Sequence, residues 1–502
     1  MKNKTTIAVV ISVSVILVAG IASFALMNFW KGDSIDPLAF IPEDCGFYAV
    51  FDFGMNMEDV KKTIEPFRNT YGDETVEYLD EFMQTDLSFL NLSGFVVKNS
   101  ESILSQDFVV GLEITDSSSA RKGIDDIYNI LKFEDKPEIE EDEKGFIKIG
   151  DDFVCYISNK FLLISESSRA IRKILDVKSG EDKSIRENAD WKKISPEMSS
   201  KFSIFAQVPM GKEPLVIAGT ELSEKKSEYG FELILIEGRQ RLKSSIPDKE
   251  AREKIALFDE LFENSRDLSD VLSMLPSAPM IGAASMIPNF NLDLSDSNEN
   301  IFYEGDYGFW GDLDEFNPTG IFSQLMKPSN ISVNKLLEHI FPEDDYQIKD
   351  VSGIKEIYSS YYFPITPFDD EETDEVSFKS EPSFFASEKN GAAIISTNID
   401  GLDFDPVNKD TKTGDVVLYF LFDFKDLIEK NLDSFKDAEY ESEYSLEKYT
   451  EKLKEIDLQL TIKLFEKDSD MRLKLALSGD LKEFESLLMD AIGEMTKESN
   501  KR

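Results

Sequence analysis

Residues 145–167 read GFIKIGDDFVCYISNKFLLISES, and this stretch decides the fold class. Three apolar runs, FIKIG (146–150), FVCYI (153–157) and FLLIS (161–165), are separated by turn formers at Asp151-Asp152 and Ser158-Asn159-Lys160. Short β-rich runs punctuated this way predict consecutive antiparallel strands. Residues 166–177 follow with Ala170, Ile171, Ile174 and Leu175 at helical spacing, so a helix leaves the last strand and packs back on the sheet. Strands in series with helices laid on them define an α+β fold of mainly antiparallel sheet.

Outward from this stretch the same grammar continues. Phe47–Phe53 reads as a buried strand with a helix over Met57–Phe67, then a helical segment at 73–84 and a strand at 107–115. A helix spans 118–132 with Ser117 to Ser119 as capping candidates, and residues 134–144 (EDKPEIEEDEK) form an exposed acidic loop. Strands near 202–209 and 230–237 complete the first half. In the second half, SNKFLLIS (158–165) is matched by KNGAAIIS (389–396), where Asn390-Gly391 signals a two-residue hairpin. Ile41-Pro42 precedes Ala49 at the interval by which Leu275-Pro276 precedes Ala283. VVLYFLFDF (416–424) leads into a helix at 425–434, and a hairpin of IDLQLTIKLF (456–465) and MRLKLALSG (471–479) precedes a helix at 480–494. The shared order of these matches predicts two related modules. The loops at 293–317 and 366–380 are rich in acidic and aromatic residues.

At the N-terminus, Ile7–Trp30 (IAVVISVSVILVAGIASFALMNFW) carries no charge and no proline. At 1.5 Å rise per residue it reaches roughly 36 Å, enough for a ~30 Å hydrocarbon core. Its length favours a retained anchor over a cleaved signal, although Ala22-Ser23-Phe24-Ala25 offers small residues to a peptidase. Lys2 and Lys4 precede the run, while Asp33 and Asp36 follow Lys31. That asymmetry predicts a cytoplasmic tail at 1–6 and an extracytoplasmic body at 31–502. Organisation is then a short link at 31–36, a first module at 37–250, a charged helix or linker at 251–270 and a second module at 271–502.

The anchor, the Ile41-Pro42-Glu43-Asp44 approach to Phe47-Tyr48-Ala49-Val50 and the 145–167 stretch resemble bacterial membrane-anchored exported proteins classed only as domains of unknown function. The resemblance is carried by the first half. It implies an exported, repeated α+β fold and brings no catalytic residue.

Composition narrows the chemistry. The net charge is −43, from 98 acidic and 55 basic residues, and such a field repels nucleic acid and anionic headgroups. No phosphate-binding glycine motif supports nucleotide use. The only histidine, His339, sits near the end of a helix bearing Leu336, Leu337 and Ile340, where a structural role suits it. One histidine cannot build a histidine-ligated zinc site. Asp52 and Asp423, each within a Phe-Asp-Phe triplet, are the best-placed carboxylates. Alternation turns each away from its phenylalanines, toward a wet face or a following helix N-terminus. No cofactor is expected; the acidic loops allow weak, nonspecific calcium binding but lack the twelve-residue calcium-loop spacing. Cys45 and Cys155 are either free buried thiols or a single disulfide closing a loop of about 110 residues, worth on the order of 4–5 kcal/mol.

These features predict a non-enzymatic envelope scaffold or interaction module, anchored through Ile7–Trp30, with protein partners outside the cytoplasm. The alternatives are a carrier or sensor of a hydrophobic ligand, suggested by doubly apolar strands, and a carboxylate-dependent hydrolase.

Overall fold

The structure is a computed structural model. It describes residues 36–64, 87–98, 108–130, 139–149, 153–209, 214–222, 228–245, 259, 262–276, 278, 280–285, 290–291, 302–303, 305–311, 322–328, 331–343, 345–362, 376–378, 381–397, 399–402, 412–425, 452, 455–484 and 486–487. The anchor at 7–30, the helix at 73–84 and nearly all of that at 425–434 lie outside these residues. The chain forms mostly antiparallel sheet with some helices. It divides into one unit of Met1–Lys226, Phe231–Ser245 and Lys482–Arg502, and a second of Ser227–Gly230 and Ile246–Leu481.

The first unit contains β1 (Phe47–Asn56), β2 (Leu90–Lys98), β3 (Phe108–Ile114), β4 (Ile139–Glu141), β5 (Phe146–Ile149), β6 (Phe153–Ile157), β7 (Phe161–Ser165), β8 (Phe202–Val208), β9 (Leu215–Leu222) and, from Phe231 onward, β10 (Glu228–Ile236). Their spatial order is β10-β9-β8-β1-β2-β3-β7-β6-β5-β4. The second unit contains β11 (Met280–Ser285), β12 (Gly305–Gly311), β13 (Phe322–Pro328), β14 (Tyr346–Val351), β15 (Ile354–Tyr362), β16 (Phe384–Lys389), β17 (Ala392–Ser396), β18 (Leu418–Asp423), β19 (Leu458–Lys467) and β20 (Asp470–Gly479). Here the order is β20-β19-β18-β11-β12-β13-β17-β16-β15-β14. Each strand of the second unit thus takes the place of the strand ten numbers lower, and a short strand, Val376–Phe378, adds to the far end of β15.

Register agrees as closely as order. One row across the first unit runs Ala218, Phe205, Tyr48, Val97, Val109, Ser165, Val154, Lys148, Glu140. The matching row of the second runs Thr461, Leu421, Ile281, Trp310, Ser323, Ser396, Phe385, Glu356, Lys349. In these rows Ser165 and Ser396 each close the fifth position of their strand, β7 and β17. The two alanines that share an interval from their prolines occupy different rows: this register sets Ala49 beside Gly282 and Val50 beside Ala283. A one-residue slip reverses the faces, so Ala49 points away from the face on which Ala283 is buried.

Helices cover both faces of each sheet. In the first unit one face packs the 3-10 turn Pro37–Phe40, α3 (Ser168–Ser179) and α4 (Ala189–Ile194) on Tyr48, Val50, Phe95, Val109, Leu163 and Phe205. Tyr48 stacks on Phe205 at 5.7 Å and meets Trp191 edge-on at 5.6 Å. The other face packs α2 (Ser117–Ile130), following α1 (Met57–Ile64) in the chain, on Leu90, Ile147, Cys155 and Leu162 through Ala120 and Ile124. Strand alternation creates the two faces. Gly180 ends α3 in the left-handed conformation, with φ 84°. α5 (Gly238–Ser245) follows β10. In the second unit, α6 (Ser269–Leu272) covers Ile281, Ala283, Leu325 and Ile394, while α7 (Val333–Ile340) covers Met326, Ala393 and Ile395.

Three expectations need correction. The charged helix or linker expected at 251–270 reaches into the second unit, where Leu268 belongs to the same core cluster as Val271 and Leu272. The loop at 293–317 contains β12, a central strand whose glycines make room for neighbours, a Cβ on Gly308 meeting Val271 at 3.0 Å and Leu275 at 3.1 Å. The acidic loop at 134–144 contributes β4, paired with β5.

Candidate functional site

The regular register breaks at one end of the first sheet. Asp52 pairs with Ser93, but the next pair is Asn56 with Asn91, leaving three residues of β1 opposite Leu92. On the other side of β2, Gly94 pairs with Leu112 and Leu90 with Ile114, so Asn91, Leu92 and Ser93 all lie opposite Glu113. Such bulges re-aim side chains and recur beside functional sites. Here Asn91 and Ser93 turn onto Glu113 and hydrogen-bond its carboxylate. Asp52, Asn91, Ser93 and Glu113 are all half-buried, and Lys160 is exposed beside them.

Burial raises the Glu113 pKa above the ordinary carboxyl value; the bonds from Ser93 and Asn91 oppose the shift, the negative charge of Asp52 adds to it, and Lys160 counters it. Glu113 is thus a carboxyl that holds its proton unusually well, next to a second carboxylate, Asp52.

The second unit treats the same positions differently. Ser285 stands for Asp52, Asp306 for Ser93 and Lys327 for Glu113, in unbroken register from Ser285–Asp306 to Asp306–Lys327. Asp306 accepts a hydrogen bond from Arg266 Nε at 2.7 Å. Ser285 is buried, its hydroxyl donating to the Val417 carbonyl at 3.3 Å. The first unit has two neighbouring carboxyls where the second has an aspartate held by arginine.

The other predicted residues are placed as follows. Asp423 accepts from the Lys425 backbone N–H at 3.0 Å and from Gln459 Nε2 at 2.9 Å, the capping role its position suggests. Its Phe-Asp-Phe triplet lies in β18, the counterpart of β8, whereas that of Asp52 lies in β1; the two triplets are not equivalent. His339 occupies the last turn of α7, partly buried. Cys45 and Cys155 are free and buried, in the clusters on opposite faces of the first sheet. The disulfide is therefore not formed. Burial pushes both thiols up to about 12, with Asp44 adding to the shift at Cys45 and Lys173 opposing it, which leaves them as inert core groups.

Two buried ionic features escaped sequence reading. Arg241 of α5 binds Asp190 of α4 with both terminal nitrogens, at 3.2 and 2.6 Å, and the Pro214 carbonyl at 3.1 Å. Burial lowers its pKa, but the bonds and charge of Asp190 and Glu237 outweigh that and raise it. Glu221 in β9 is buried with Oε2 unpartnered, its pKa raised by burial against the opposing charge of Lys201. The first pair joins residues 51 apart in sequence, and Glu221 sits in an otherwise apolar strand; local pattern reveals neither.

Among the described residues no three His, Cys, Asp or Glu side chains gather as a metal site, and no helix is long and apolar enough to cross a membrane. No protein-family model, curated protein or solved structure matches this chain.

Proposed function

We propose that this chain is a single-pass, membrane-anchored extracytoplasmic protein that acts as a non-enzymatic scaffold or interaction module, built from two copies of one ten-stranded module. The anchor is Ile7–Trp30, and the partners are proteins outside the cytoplasm. The observation that carries the reading is the row-by-row register match between the units, combined with divergence of polar residues at the sheet end. A fixed apolar frame with altered polar groups is how one fold acquires different binding surfaces. The −43 net charge favours partners that present basic surfaces.

Affinity capture from membranes, with the intact chain and with residues 31–502, tests this. Both should recover the same extracytoplasmic, basic-surfaced proteins. Recovery of cytosolic proteins alone would contradict it.

A second reading, a carboxylate-dependent hydrolase, rests on Glu113 and Asp52. A carboxyl whose pKa is raised by burial, with a second carboxyl beside it, is the kind of pair glycoside hydrolysis uses. Glu113→Gln and Asp52→Asn, assayed on a panel of aryl glycosides, decide it. Loss of a measurable turnover in both variants supports hydrolysis; no turnover by the intact protein, or turnover unchanged in both, excludes it at this site.

A further inference from the structure

We draw no further inference here: the strongest candidate, the half-buried polar cluster of Asp52, Asn91, Ser93 and Glu113 at the bulged end of the first unit's sheet, belongs to the site already described and has no second, independent feature among the described residues that points to a ligand.

Discussion

Glu113 shows what the bulge costs. Its pKa is raised above the ordinary 4.5, so the folded state binds this proton more tightly than the unfolded chain does. Its contribution to stability is present below the unfolded pKa and is lost as pH rises through the higher folded value. Glu113→Gln should therefore stabilise the first unit at neutral pH, with the gain shrinking toward pH 4; urea melts at both pH values measure it. Asp267 behaves oppositely. Hydrogen bonds from the Ser269 hydroxyl and backbone, then from Thr413, hold its pKa down to about 2 from 3.8. Its contribution is present above 3.8 and disappears as pH falls through about 2, and Asp267→Asn should flatten that acid dependence. Arg241 is the residue whose loss should hurt most: Arg241→Ala leaves Asp190 without its bidentate partner, at a cost of about 3 kcal/mol by denaturant unfolding. The cysteines should alkylate only in denaturant, and both without prior reduction.

At the scale of elements, the runs with clean alternation and explicit turns were legible. β5, β6 and β7 lie where residues 145–167 place them, and Asn390-Gly391 adopts positive φ at both positions, 53° and 75°, the backbone its hairpin requires. Several strands were not legible, among them β2, β9, β12, β13, β14 and β15. β2 is interrupted by Ser93-Gly94, β9 carries Gly219 and Glu221, and β12 reads GDYGFWG; glycine and charge erase the usual pattern, while the sheet needs those glycines beside large rings. Capping also shifted by one residue, since Asp116 rather than a serine accepts from the Ser118 and Ser119 backbone N–H groups, at 3.3 and 2.7 Å. The bulge that builds the candidate site is invisible in sequence because it exists only as a mismatch between paired strands. Packing supplies a sharper test of the correspondence. In the row Val50, Phe95, Gly111, Leu163 the large residue precedes glycine; in Ala283, Gly308, Leu325, Ile394 the order is reversed. A Cβ on Gly111 would lie 2.4 Å from the Phe95 ring, so Gly111→Leu alone should destabilise by about 1–3 kcal/mol or more. Phe95→Gly alone should open a cavity worth about 3–5 kcal/mol. The double variant, which copies the second unit, should recover at least about 1 kcal/mol of the summed losses; strict additivity in chemical denaturation would count against the correspondence.

The whole molecule carries an apolar N-terminal run and two units that share a strand order, under a net charge of −43. Hydropathy, charge and short strand motifs are local properties, so the apolar run at 7–30, the acidic field and the resemblance between the two halves can be read directly from sequence. The bulged carboxyl site required strands far apart in sequence to be paired. In the proposed arrangement residues 31–502 stand outside the cytoplasm on a retained anchor. Protease shaving of intact cells or spheroplasts, followed by blotting for tags at both ends, reads out this topology. The C-terminal tag should be cut away without lysis while a short N-terminal fragment stays with the membrane; a body digested only after lysis would rule this topology out.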